Sequence, residues 1–141
     1  MTTAETSMAD RLGFTQGQTV REIGHAQDSD TDLRQAVEEA TGKELVGVGT
    51  GGLADAVLLW WRDDDGDLVD GLHAALTDFC EDGAVWLLTP RTGRMGHVEP
   101  SDIAECAATA GLVRTGSVRV AVDWQGTELR TPRARRSGRS A

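Results

Sequence analysis

The stretch from Ala56 to Leu88 leaves this chain few folds to choose from. An apolar run, Ala56-Val57-Leu58-Leu59-Trp60-Trp61, is closed by Asp63-Asp64-Asp65-Gly66. Asp67 then caps a segment in which Leu68, Leu72, Ala75, Leu76 and Phe79 share one helical face. Gly83 precedes a second apolar run, Ala84 to Leu88, stopped by Pro90. Short runs that are apolar throughout belong to strands buried on both faces. A helix between two such strands joins them by a crossover, which sets them parallel. The unit predicts an α/β domain.

The remaining segments extend it. Thr19 to Ile23 alternates and reads as a short strand ended by Gly24. Ser29 or Asp30 caps a helix with Leu33, Ala36, Val37 and Ala40 inward and Gly42 as its C-cap. Glu44-Leu45-Val46 reads as a brief strand, and Pro100 opens a third helix with Ile103, Ala107 and Ala110 inward and Gly111 closing it. Ser117–Val122 and Thr127–Arg130 alternate on either side of an Asp123-Trp124-Gln125-Gly126 turn. The order predicts a Rossmann-like α/β fold: a mostly parallel sheet, helices on both faces and a C-terminal antiparallel hairpin. It is similar to the second half of the Rossmann-like methyltransferase fold.

Three stretches carry a family resemblance: Ala56 to Arg62, Val85 to Pro90, and Gly96-His97-Val98-Glu99-Pro100-Ser101. With them, the chain from about Leu12 to Pro132 resembles a family of small actinobacterial proteins known only as a domain of unknown function, DUF3052. The resemblance implies a Rossmann-like fold and brings neither an activity nor catalytic residues. The glycine-rich segment after Val46 departs from the family pattern, which tends to be acidic there.

The chain has 141 residues, the size of one domain. Residues 1–7 are small and polar and are expected to be disordered; Met8 to Leu12 could add one helical turn. Residues 8–130 form the single domain, and 131–141 a disordered basic tail. The net charge of -9 disfavours nucleic acid and anionic membrane as partners of the body. Arg130, Arg133, Arg135, Arg136 and Arg139 offer nucleic acid only a salt-dependent attraction through the tail. Two cysteines, Cys80 and Cys106, make no disulfide framework and read as buried, inert thiols. Without a signal peptide or an apolar span, a cytoplasmic protein is expected.

Gly47, Gly49 and Gly52 satisfy G-x-G-x-x-G after a strand and are the candidate cofactor loop. The phosphates of a dinucleotide would need a helix to start there; with 56–61 as a strand the segment is a plain connection, and with 56–61 as a helix the fingerprint stands. Asp63, Asp65 and Asp67 fail the spacing of a calcium loop, but Asp63 lies past the carboxyl end of a strand, where open sheets place ligands. The loop from Thr89 to Glu99 does so too, with Arg91, Thr92, Gly93, Arg94, Gly96 and His97. Glycines admit a ligand close to the backbone, and arginines with a histidine suit a carboxylate or phosphate.

His25 and His73 stand apart, and no metal-ligand spacing is present, so neither a metal nor a cofactor is assigned. His73 is expected to be packed or half-exposed. Trp60 and Trp61 should point to opposite faces, one into each layer, and Trp124 should sit partly exposed in the turn as a contact residue. No catalytic residue is assigned. The expected function is a non-catalytic binding or regulatory module for a partner protein or small anionic ligand. The alternative is a degenerate methyltransferase-like or nucleotide-dependent enzyme.

Overall fold

The structure, a computed structural model, describes residues 12–27, 29–47, 52–77 and 79–132, with only the backbone of 80–82. The expected disorder of 1–7, the turn at 8–11, the thiol of Cys80, Gly49 and most of the basic tail lie outside the described residues. Among the described residues the chain is an α/β domain with three helices and a mixed five-stranded sheet. The elements are β1 (Val20–Ile23), α1 (Thr31–Thr41), β2 (Ala54–Trp60), α2 (Leu68–Ala75), β3 (Phe79–Pro90), α3 (Pro100–Thr109), β4 (Val113–Arg119) and β5 (Trp124–Arg130). No helix among them is long and apolar enough to cross a membrane.

The caps behave as the residue types require. Asp30 accepts from the Leu33 amide and Asp67 from the Val69 amide, satisfying donors that the first helical turn leaves free. Gly42 ends α1 in the left-handed region, where its amide reaches the Glu38 carbonyl. Pro100 stands at the start of α3.

The sheet runs β1-β2-β3-β5-β4. β1 pairs parallel with β2 and β2 with β3, while β5 pairs antiparallel with both β3 and β4. The expected mostly parallel sheet is thus a mixed one, because β5 inserts between β3 and β4 and reverses both pairings it makes.

Residues of alternate parity in β2 enter different clusters. Ala56, Leu58 and Trp60 pack with Leu33 and Val37 of α1. Val57 and Leu59 pack with Leu68 and Leu72 of α2 and Ile103 and Ala107 of α3. Trp60 is fully buried in the first cluster, and Trp61, just past the strand, leans half-buried on the second.

The expected strand at 44–46 is a single parallel bridge, Val46 to Arg21, on the outer side of β1. Its amide reaches the Val20 carbonyl and its carbonyl takes the Glu22 amide. The chain therefore leaves β1 through α1 to one side and returns through β2 on the other. Strand order reverses between β1 and β2, the switch point where open sheets place ligands. Here Gly24, itself exposed, is backed by Arg62 and the end of β2. Arg62 Nη1 donates to the Gly24 carbonyl at 2.9 Å, and a Cβ on Gly24 would lie 2.4 Å from the Trp60 carbonyl oxygen.

Several boundaries differ from the sequence reading; β4, expected at 117–122, runs Val113–Arg119. The second helix ends at Ala75, and Phe79 opens β3 instead of extending the helical face. The last two strands turn at 120–123, not at 123–126, so Trp124 and Gly126 lie inside β5. Gly126 looks like a turn residue, but it serves close packing: a Cβ there would stand 2.7 Å from Val120 Cγ1. Trp124 is buried, edge-on to Trp60 with centroids 4.8 Å apart and the Arg62 guanidinium 5.2 Å above its ring. It is a core residue, not an exposed contact. His73, conversely, is exposed and neither packed nor half-buried.

Candidate functional site

On the sheet face that carries Leu87 and Leu129, the inward positions turn polar toward the carboxyl end of β3. Thr89 stands opposite Gln125, Leu87 opposite Thr127, and Thr127 opposite Ser117. Directly opposed residues project from the same face, so these polar side chains form one floor beneath α3. Val98, Pro100 and Ile103 supply an apolar wall against it. The space enclosed is about 180 Å³, with the exposed Thr92 and Arg114 and the half-buried His97 on its solvent side.

The floor is unusual for a core. Thr89 is 1% exposed and Thr127 3%, and neither hydroxyl has a side-chain hydrogen bond to another described residue. Neither hydroxyl is among the fully buried side-chain atoms that lack a partner; both keep access to the cavity space, so such a floor suits a polar occupant. Gln125 Nε2 donates to Ser117 Oγ at 2.7 Å, which leaves its amide oxygen available. The Pro90 carbonyl lies 2.9 Å from His97 Nδ1 and can only accept, so that nitrogen carries a proton. His97 Nε2 lies 3.6 Å from Glu99 Oε2, beyond hydrogen-bond reach. Among the described residues no Asp or Glu lines this cavity, although the chain has 23 acids against 14 lysines and arginines.

Only part of the expected loop site comes together here. Thr92 and His97 line the cavity. Arg91 does not: its guanidinium donates to the Val122 carbonyl at 2.7 Å. Arg94 pairs with Asp123 at 3.0 Å, both more than half exposed. The two arginines tie the loop to the β4–β5 turn because that turn places a carbonyl and a carboxylate within their reach. Gly93 and Gly96 take positive φ, and the Gly96 carbonyl accepts from the Asp63 amide; both shape the loop. Of the expected cofactor loop, residues 48–51 with Gly49 lie outside the described residues; Gly52 leads directly into β2, which begins at Ala54.

Sequence reading missed Thr89, Arg114, Ser117, Gln125 and Thr127. Their signal is a polar residue at every second position of β5 where Leu129 and the facing Leu87 call for apolar ones. It becomes visible only once the register is known.

Asp63 belongs to a separate cleft of about 510 Å³ between the starts of α2 and α3, with Trp61, Asp67, Glu99, Asp102 and Cys106. Among the described residues no group of three His, Cys, Asp or Glu is placed to hold a metal ion. Burial pushes the Cys106 thiol up, and Asp67, Asp102 and Glu105 add to the shift. The thiolate is the nucleophile, so less of it is present at neutral pH than in an ordinary cysteine. In a Cys80→Ser background, iodoacetamide is expected to alkylate Cys106 more slowly than glutathione at pH 7.5. A rate equal to or above that of glutathione, followed by mass spectrometry, contradicts this.

Comparison with known proteins agrees with this architecture. The family described as protein of unknown function (DUF3052) matches residues 9–133. Uncharacterised proteins of Mycobacterium tuberculosis and Mycobacterium bovis are each 48% identical over 127 residues, covering 90% of this chain and 80% of theirs. In fold the chain is similar to the pyocyanin biosynthetic protein PhzM, with a TM-score of 0.64 and 13% identity over 87% of this chain and 53% of that one. It is similar to an O-methyltransferase from neocarzinostatin biosynthesis, NcsB1 (0.61, 17%, over 89% and 50%). A SAM-dependent methyltransferase from Aquifex aeolicus gives 0.54 at 11%, over 85% of each chain. The chain spans about half the length of PhzM and NcsB1, and identities this low speak of fold alone. Sequence and architecture together place this protein in the DUF3052 family.

Proposed function

We propose that this protein is a binding module that takes a small anion into the cavity beneath the Thr89–Glu99 segment. The observation that carries the reading is the lining: threonine hydroxyls that reach the cavity without a protein partner, an arginine at the rim, and, among the described residues, no acid in a strongly acidic chain. Small-ligand sites are mostly apolar concavities with a few convergent polar groups, which is the balance found here. The finer architecture we infer, helices on both faces and an antiparallel pair at the C-terminal edge, is supported by the two clusters and the β4–β5 register. It puts the cavity at the carboxyl end of β3, over the strand that reverses direction. The proposal sets the module in the cytoplasm, which its cysteine usage and charge fit.

The methyltransferase likeness in fold favours a second reading, a reduced enzyme of that kind. Against it stands the tight packing at the β1–β2 switch point, where Arg62 and the Trp60 carbonyl lie against Gly24. Thermal shift separates the two. A panel of small carboxylates, inorganic phosphate, sulfate, S-adenosylmethionine, NAD, ATP and coenzyme A is run on the wild type and on Thr127→Val. A ligand at 100 times its Kd stabilises by about 2.7 kcal/mol, a rise of roughly 5–10 °C for a domain of this size. We expect that rise with a small anion and its loss in Thr127→Val, whose unliganded Tm should stay within about 2 °C because the hydroxyl has no protein partner. A rise with S-adenosylmethionine alone, unchanged in the variant, moves the assignment to the enzyme reading. No rise with any compound moves it to a partner protein docked on the loop.

A further inference from the structure

We infer that the anion taken by this cavity is a short monocarboxylate with an apolar body, in preference to a phosphate; the inference rests on the binding reading above. Three features of the walls select it.

The first is the amphipathic shape. Val98, Pro100 and Ile103 face a floor of Thr89, Gln125 and Thr127, so an occupant must present hydrocarbon to α3 and oxygen to the sheet. A phosphate has only oxygen to offer, and burying it against Ile103 would leave part of its shell unpaired.

The second is the helix terminus. Phosphate sites draw on free amides and the positive dipole end of a helix. Here the residue of that terminus in the cavity wall is Pro100, which has no amide hydrogen. The Asp102 and Ile103 amides both turn back to the Glu99 carbonyl. Glu99 and Asp102 add carboxylates on the far side of the same turn, which disfavours a dianion more than a monoanion.

The third is the charge at the rim. Among the described lining residues Arg114, itself exposed, is the one arginine; its single charge matches a monoanion, although its fork would accept a carboxylate or a phosphate. Thr89 and Thr127 then face the ligand's body, where a second oxygen on the carbon next to the carboxylate would give their hydroxyls a partner. The volume of about 180 Å³ is below the roughly 300–1,000 Å³ of pockets for drug-sized ligands, which sets the size at a few carbons. The class is therefore a short 2-hydroxy or 2-oxo monocarboxylate.

The test is an NMR titration of the full chain with 2-hydroxybutyrate, butyrate, inorganic phosphate and butylamine, following the backbone amides of Thr89 and Thr127. Arg114→Gln is run beside it; Arg114 is exposed, so the variant keeps the fold. We expect 2-hydroxybutyrate to bind tightest, butyrate next, phosphate about tenfold or more weaker, and butylamine not to move these amides. A charge-assisted hydrogen bond is worth tenfold or more in affinity, so Arg114→Gln should weaken the carboxylates by about that factor. Phosphate binding these amides more tightly than either carboxylate overturns the inference and leaves the anion reading standing. Carboxylate binding indifferent to Arg114→Gln overturns it as well. If no anion moves Thr89 or Thr127, both readings fall together.

Discussion

Trp60→Ala is expected to destabilise the domain by about 3–5 kcal/mol, the range for removing a buried tryptophan, and to lower Tm by roughly 10–20 °C. The side chain is fully buried at the carboxyl end of β2. It does three things at once. Its ring fills the cluster beneath α1, it meets Trp124 edge-on at 84°, and its indole N–H donates to Glu22 Oε2 at 2.8 Å. Glu22 is also held by Arg34 through two bonds of 2.6 and 2.9 Å, and this contact keeps the Arg34 guanidinium above its usual pKa. Truncation therefore leaves a cavity and removes one donor from a nearly buried carboxylate, two costs that add. Trp60→Phe keeps most of the volume and should cost clearly less. Urea unfolding of both variants checks this; a Trp60→Ala loss below about 1.5 kcal/mol would contradict the central role given to this residue.

Gly24→Ala is expected to cost about 2–4 kcal/mol, from two sources. The backbone sits at φ +81, a region that costs an L-residue roughly 1–2 kcal/mol. The added Cβ would also lie 2.4 Å from the Trp60 carbonyl oxygen, so β1 and β2 must part locally or the turn must move, and the Arg62 bond to the Gly24 carbonyl weakens with it. Gly17→Ala is the control. It has the same sign of φ, +93, with nothing within 4 Å of the new atom, so it isolates the conformational cost of roughly 1–2 kcal/mol. Equal losses in the two variants, measured by denaturant unfolding, would sink the idea that Gly24 is packed tightly against β2. This matters for function, since tight packing at the switch point is what turns attention from β1 to the cavity beside β3.

Much of the architecture was legible because it depends on local chemistry. Asp30 and Asp67 cap helices because their short carboxylates reach the first free amides. Gly42 ends α1 because glycine enters the left-handed region without penalty. The apolar runs of β2 and β3 needed burial on both sides wherever they lay. Glycine at 126 misled for the same reason that glycine at 42 informed: its missing side chain can serve a turn or close packing, and neighbours in sequence cannot say which. Phe79 continued a helical period, yet it pairs with Ala54 across the sheet, since long-range pairing outweighs the end of a short helix.

The candidate site was legible only in outline. That the Thr89–Glu99 loop leaves a strand's carboxyl end, and that Thr92 and His97 belong to it, followed from element order. What Arg91 and Arg94 do was not readable, because Val122 and Asp123 lie some thirty residues away in the chain. The floor of Thr89, Gln125, Thr127 and Ser117 was beyond local reading for a stronger reason. In a strand the pleat tells which residues share a face, but only the register with the neighbouring strand tells which face meets the core. The sequence by itself determined the α/β class, the helix caps, the buried strands and the family. The tertiary structure alone decided the insertion of β5 between β3 and β4, the close approach of β2 to Gly24, and the meeting of threonine hydroxyls under α3, because each depends on contacts between residues that the chain brings together only on folding.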